Sequence, residues 1–241
     1  MKIHELRIQL DLYLENKIDI LEDVASKCNE GYLFVDSLDG YCYLFDENGN
    51  EDDIKKIKCI ENSAFEDCIN LKSIIIPDSV KSIGDFAFAY CENLKSIEIP
   101  NSVKRIGYDA FTYCKNLKSV EIPNSVESIE DGAFCNCQSL KSIEIPDSIE
   151  SIEDGAFDWC ENLKSIIIPN SVKSIGDKAF AWCKSLESIV IPDSVKSIGD
   201  WVFAYCKNLK SVLFKGKTID QVKAMESYPF RIEDESIIKY I

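Results

Sequence analysis

Through the middle of this chain, apolar and polar residues alternate in short bursts that return at a fixed interval. In Leu94-Lys95-Ser96-Ile97-Glu98-Ile99 the isoleucines alternate with polar residues, the pattern of a short strand with one buried face. Pro100 follows; it has no N–H to donate and ends the pairing there. Val103 and Ile106 then supply apolar side chains to the other side of a coil. Ala110, Phe111 and Cys114 have the spacing of one turn of α- or 3-10 helix plugging its end. The whole set recurs every 23 residues, with prolines from Pro77 through Pro100, Pro123, Pro146 and Pro169 to Pro192. Phenylalanines from Phe65 to Phe203 and cysteines from Cys68 to Cys206 keep the same step, giving seven units between about Ile54 and Phe214. One unit cannot bury these residues by itself. Stacked units can, with their strands about 4.8 Å apart in a parallel sheet. The expected fold is a right-handed repeat superhelix, mostly β with short helical or 3-10 turns and capped ends.

The ends break the period. Residues 1–53 are expected to form an N-terminal cap. Ile3, Leu6, Leu10, Leu14, Ile18, Leu21 and Val24 match a helical stripe, although Leu6 to Leu14 also alternate as a strand would; length favours the helix. Tyr32 to Asp36 and Tyr41 to Phe45 read as a hairpin turning at Asp39-Gly40. Repeats occupy 54–214 and a C-terminal cap 215–241, in which Thr218 and Gln221 form a capping box for a helix reaching Met225 and stopping before Pro229.

The unit L-x-x-I-x-I-P followed by S-V-x-x-I-G-x-x-A-F-x-x-C resembles the 23-residue leucine-rich repeat of the BspA-like family over about two-thirds of the chain. That resemblance implies a curved solenoid used for recognition, in many bacterial and protozoan members as a cell-surface or adhesive protein. Fold follows from such a resemblance more firmly than function does.

Composition narrows the chemistry. With 46% hydrophobic and 29% charged residues in 241, this is a folded rather than a disordered chain. A net charge of -15 repels phosphate backbones and anionic membrane surfaces, so nucleic acid is not an expected partner. No apolar run approaches the roughly 20 residues of a membrane span, so no membrane insertion is expected, and the N-terminus has no signal-peptide h-region. His4 is the sole histidine, which leaves no Ser/His/Asp or Cys/His arrangement and few partners for zinc; neither an enzyme, nor a metal, nor a cofactor is expected. Among 11 cysteines no C-x-x-C pair occurs. Equivalent cysteines on stacked rungs would hold their Cβ atoms about 4.8 Å apart, beyond the roughly 3.8 Å a disulfide prefers. They read as a buried column of free thiols, which favours a cytoplasmic or anaerobic setting, whereas the family resemblance favours a surface. Asp46 to Asp52 alternates oxygen ligands, but Gly49 and Ile57 miss the calcium-loop positions and an Asn-Gly turn explains it better.

Two columns remain as candidate partner-binding surfaces. Beside an all-serine column from Ser73 to Ser211, the strands present Ile75, Glu98, Glu121, Glu144, Ile167, Val190 and Leu213. Stacked glutamates repel one another, and a cationic partner would relieve them. The apolar end is either a contact patch or is covered by the C-terminal cap. The second column, Tyr90, Tyr113, Asn136, Trp159, Trp182 and Tyr205, with Trp201 nearby, either forms an interface that stacks on sugar or protein, or seals the loop edge by stacking on itself. The expected function is a non-catalytic recognition or adhesion module for a protein or a glycan. The alternative is a structural or receptor-binding component of a larger assembly, such as a virion or surface appendage.

Overall fold

The computed structural model describes residues 33–36, 41–45, 58–74, 76 and 78–241. The N-terminal stripe from Ile3 to Val24, the loop from Asp46 to Asp52 and Ile75 lie outside the described residues.

Each repeat forms one rung of a parallel-strand solenoid. The Ile-x-Ile segments become strands Ser73–Ile74, Ser96–Glu98, Ser119–Glu121, Ser142–Glu144, Ser165–Ile167, Ser188–Ile191 and Ser211–Phe214. They run parallel in matched register, Ser96 beside Ser119, Ser142 beside Ser165 and Ser188 beside Ser211. Ile97, Val120, Ile143, Ile166 and Ile189 point inward and are buried, as the alternation requires. On the opposite side a second set of strands, each two residues long, runs from Cys59–Ile60 through Ser82–Ile83 to Ser197–Ile198. Sequence patterning places Val103 and Ile106 there as core, and both are fully buried. Two residues are too few to show alternation, so the ladder itself is new.

The edge carrying Ala110, Phe111 and Cys114 differs from the expected helical turn. It is a run of consecutive turns in which alternate N–H groups reach different partners. Phe88 and Tyr90 donate to Ala110 and Thr112 on the next rung, each at 2.8 Å, while Cys91 donates back to Phe88 within its own rung at 3.2 Å. A helix would turn all of these donors onto its own chain, leaving nothing to join the rungs. Left-handed residues make the alternation: φ is 56° at Phe86, 60° at Tyr90, 58° at Trp159 and 56° at Trp182. Such a conformation costs a bulky side chain about 1–2 kcal/mol, which the inter-rung bonds and ring stacking offset.

Inside, the phenylalanine column forms a continuous stack. Ring centroids are 4.8 Å apart for Phe65 and Phe88, 5.7 Å for Phe134 and Phe157, and 6.1 Å for Phe180 and Phe203. The cysteines beside them do more than fill space. Cys114, Cys137, Cys160 and Cys183 are buried free thiols, and each donates its S–H to the carbonyl of a phenylalanine one rung back, at 3.2–3.3 Å. Burial pushes all four thiols well above their ordinary pKa. We expect all four to resist Ellman's reagent at pH 8 in the native protein and to react fully in denaturant; native-state labelling at the rate of a free thiol would contradict their placement.

Both ends of the coil continue this logic. Strands Leu33–Asp36 and Tyr41–Phe45 pair antiparallel, and the second lies parallel to Ser73–Ile74. At the other end the expected capping box is present: Thr218 accepts from the Gln221 N–H, and Gln221 accepts from the Thr218 N–H. The helix it starts spans Ile219–Lys223, two residues short of the expected Met225. Beyond it Phe203 donates to Phe230, and strand Ile238–Tyr240 pairs parallel with Ser211–Phe214. The closing segment thus imitates one further rung.

Candidate recognition surfaces

On the sheet face Ser96, Glu98, Glu121 and Glu144 are exposed. Glu98 and Glu121 sit directly beside one another in the register, and Glu144 sits beside Ile167. Ile167 is 60% exposed and Val190 43%. The C-terminal cap therefore does not cover this apolar end; its strand lies beyond Leu213, placing Lys239 next to it.

Sequence reasoning missed a third column on this face. Lys95, Lys118, Lys141 and Lys164 stand immediately before the serines, all exposed, and are interrupted by Glu187. The recurring Leu-Lys-Ser triplet was the signal. Elsewhere on the surface, some residues 23 apart carry opposite charges and pair: Lys104 with Glu127 at 2.8 Å, Lys115 with Glu92, Lys173 with Glu150 and Lys184 with Glu161, each at 2.7 Å. Among the described residues, none of Lys95, Lys118, Lys141, Lys164, Glu98, Glu121 or Glu144 has an ion pair. Glu187 does pair, with Lys210 at 2.8 Å, and the hydrogen bond from that ammonium holds its carboxyl below the usual range. The sheet face thus bears two like-charged ladders of opposite sign, side by side.

The aromatic edge is closed on itself. Tyr90 and Tyr113 stack at 4.9 Å, Trp159 and Trp182 at 4.3 Å, and Trp182 and Tyr205 at 4.1 Å. Lys184 lies 5.4 Å and 5.3 Å from the Trp159 and Trp182 ring centroids, and Lys115 lies 5.7 Å from that of Tyr113. Asn136, 8% exposed, divides the column into two stacks. Asparagine adopts the left-handed conformation at lower cost, so this rung keeps the turn without a ring to stack. Ring faces inside these stacks are occupied, so they offer edges rather than platforms to a sugar.

Trp201 belongs to a different column from Tyr205, the one that carries Phe86, Asp109 and Lys178. Both line an open groove of about 520 Å³ against Tyr228 and Pro229 of the closing segment, and Arg231 lies 3.8 Å from the Trp201 ring centroid. A larger groove of about 810 Å³ runs between the back strands near Ser174 and Ser197 and the closing helix. Neither candidate column lines it.

One polar inclusion lies between the phenylalanine column and the aromatic edge. Asp158 occupies the position that is alanine at Ala89, Ala181 and Ala204, and its Oδ1 is buried with no hydrogen-bond partner. Burial raises its pKa to about 6, against the backbone N–H of Trp159 and the charge of Lys178, which favour the ionised form. A carboxyl raised in the folded state favours the protonated native form, so stability falls as pH rises from about 4 through about 6. Asp158→Asn should then stabilise the protein at pH 7.5 by on the order of 1 kcal/mol, part of the penalty being screened by solvent, and change little at pH 4. Thermal melts at the two pH values check this; equal effects at both would contradict it.

Among the described residues no group of three or more His, Cys, Asp or Glu side chains is placed to hold a metal ion, and no helix is long and apolar enough to cross a membrane.

Comparison with known sequences and folds comes to the same repeat. The sequence model of the BspA type leucine rich repeat region matches residues 44–160 and 127–234, in 6 copies. No curated protein matches the chain. Among solved structures, a leucine rich repeat protein of T. pallidum is 25% identical with a TM-score of 0.60, over 86% of this chain and 90% of its own. A leucine rich cell surface protein of Faecalibacterium prausnitzii is 28% identical with a TM-score of 0.47; the match covers 76% of this chain and spans 57% of that protein.

Proposed function

This chain belongs to the BspA-type leucine-rich repeat family, and from that premise we propose a non-catalytic recognition module that binds a protein through the sheet face of its repeats. Members of the family are repeat-based binding modules. The observation that carries the choice of face is its exposed aliphatic end, Ile167 and Val190, beside two ladders of opposite charge. Lys95 to Lys164 and Glu98 to Glu144 form ladders without ion pairs among the described residues, and they run into exposed Ile167 and Val190. Like charges one rung apart cost stability, and a partner of complementary charge relieves that cost while burying the apolar end.

A protein suits this face better than a glycan does. The rails are charged and the exposed apolar side chains are aliphatic, whereas the aromatic rings that would stack on sugar are stacked on one another. Binding to a panel of purified proteins and to a glycan array should therefore give protein ligands. The doubly substituted Ile167→Asp/Val190→Asp protein should lose them with its melting temperature unchanged. Glycan ligands alone, or protein binding indifferent to both substitutions, would overturn the reading.

A further inference from the structure

Building on the sheet face as the binding surface, we infer that its partner is a second copy of this chain, docked face to face about a two-fold axis parallel to the solenoid. Two oppositely charged rails run along this face. Lys95, Lys118, Lys141 and Lys164 mark one edge, and Glu98, Glu121 and Glu144 lie three residues further along each strand. Only the small serines of Ser96, Ser119 and Ser142 and inward-pointing core residues lie between the rails. At about 3.3 Å per residue the rails are about 10 Å apart, and successive charges within a rail are about 4.8 Å apart.

Rotation about that axis exchanges the rails. Lys95 of one copy stands over Glu98 of the other, Lys118 over Glu121 and Lys141 over Glu144, and each pair occurs again by symmetry. An in-plane axis across the solenoid would instead bring lysine to lysine, so charge selects one arrangement of the two. A closed two-fold pair allows no sliding along its axis, and each rung meets the rung of its own number. Ile167 and Val190 then face Lys164 and Glu187 of the other copy, whose aliphatic stems can cover them.

Backbone hydrogen bonds join successive rungs and set the rails one rung apart. Rungs are hydrogen-bonded on all three sides: Lys118 to Lys95 at 3.1 Å on the sheet, Gly107 to Ile83 at 2.9 Å on the back strands, and Phe88 to Ala110 at 2.8 Å on the turns. On the sheet side the strands pair two by two, Ser96–Glu98 with Ser119–Glu121 and Ser142–Glu144 with Ser165–Ile167, with the ladder interrupted between pairs. The small serines let two such faces approach. The strip is narrow, so the pair belongs to the weak class of interfaces that bury less than about 1,200 Å² in total.

Sedimentation velocity tests the inference. Near 0.15 M salt, screening over about 8 Å subdues the overall repulsion of two acidic chains while leaving contact pairs in place. Wild type should show a reversible dimer that grows with concentration. The lysine-rail variant (Lys95→Glu, Lys118→Glu, Lys141→Glu) and the glutamate-rail variant (Glu98→Lys, Glu121→Lys, Glu144→Lys) should each raise the dimer dissociation constant at least tenfold. Mixed one to one, they should associate with each other. The mixture also controls for folding, since misfolded chains would not restore a discrete dimer. Wild type remaining monomeric up to millimolar concentration, either variant dimerising as well as wild type, or a mixture that fails to associate would overturn the inference. If wild type is monomeric but Ile167→Asp/Val190→Asp still abolishes binding to another protein, the sheet-face reading stands and the self-association falls.

Discussion

Phe157→Ala should lower stability by about 3–5 kcal/mol, the range for deleting a buried aromatic ring from a core that cannot collapse around the hole. Phe157 is fully buried, with its ring 5.7 Å from that of Phe134 and 5.8 Å from that of Phe180. Collapse is obstructed because the backbone on either side is fixed by hydrogen bonds from Phe157 to Ala179 and from Phe134 to Ala156, each at 3.0 Å. The cavity also interrupts the stack in mid-solenoid, where each rung is stabilised by its neighbours. Glu121→Gln, on an exposed position of the neighbouring face, should change stability by no more than about 0.5 kcal/mol. Chemical denaturation of the two variants measures the difference, and equal losses would contradict the assignment of core and surface.

A second large loss is expected where no side chain exists at all. A Cβ on Gly107 would stand 2.6 Å from the Gly84 carbonyl carbon and 2.7 Å from the Asp85 nitrogen, both backbone atoms of the preceding rung. Gly107→Ala must push two rungs apart, stretching the 2.9 Å bond from its N–H to Ile83. Overpacking of this kind costs about 1–3 kcal/mol, and with backbone on the other side the upper end is expected. Gly155 gives the contrast. Its φ is +59°, yet an added Cβ meets nothing closer than Asp158 Cβ at 3.9 Å. Alanine there should cost about 1 kcal/mol, from the left-handed backbone alone. Asn, which tolerates that conformation, should cost less. Melting temperatures should therefore fall in the order Gly155→Asn, Gly155→Ala, Gly107→Ala, and the reverse order would count against the packing described.

The solenoid was legible because its period is carried by residues whose burial is obligatory. Proline, phenylalanine and cysteine at one spacing leave little choice but to stack, and the Ile-x-Ile alternation states which face is inward. The turn edge was not legible. Ala110, Phe111 and Cys114 have helical spacing, and their left-handed neighbours arise from hydrogen bonds to the next rung, which no single unit contains. The role of cysteine was half visible: burial followed from its column, but the S–H donated to a phenylalanine carbonyl needs the register of two rungs. Charge pairing was hidden for the same reason. Lys104 and Glu127 are 23 residues apart, and only stacking makes them neighbours.

For the candidate surfaces, sequence reading found the glutamate column but not the lysine column that faces it across the serines. It also left the aromatic column open between an interface and a seal. Close stacking and lysines over the rings favour the seal, and the left-handed φ of Tyr113 and Trp182 shows what the rings offset. Trp201 was grouped with Tyr205 by proximity in sequence, and the two do meet one groove, but from separate columns. The closing strand Ile238–Tyr240 was missed because an isolated three-residue strand carries no pattern until a sheet edge is there to receive it.

The most direct measurement pairs binding with melting for two folded variants, Ile167→Asp and Trp182→Ala, against the protein ligand found with wild type. The account predicts that Ile167→Asp abolishes binding and leaves the melting temperature unchanged, while Trp182→Ala lowers the melting temperature and leaves binding intact. The opposite pattern, with binding lost at Trp182 and kept at Ile167, would move the recognition surface from the sheet face to the aromatic edge.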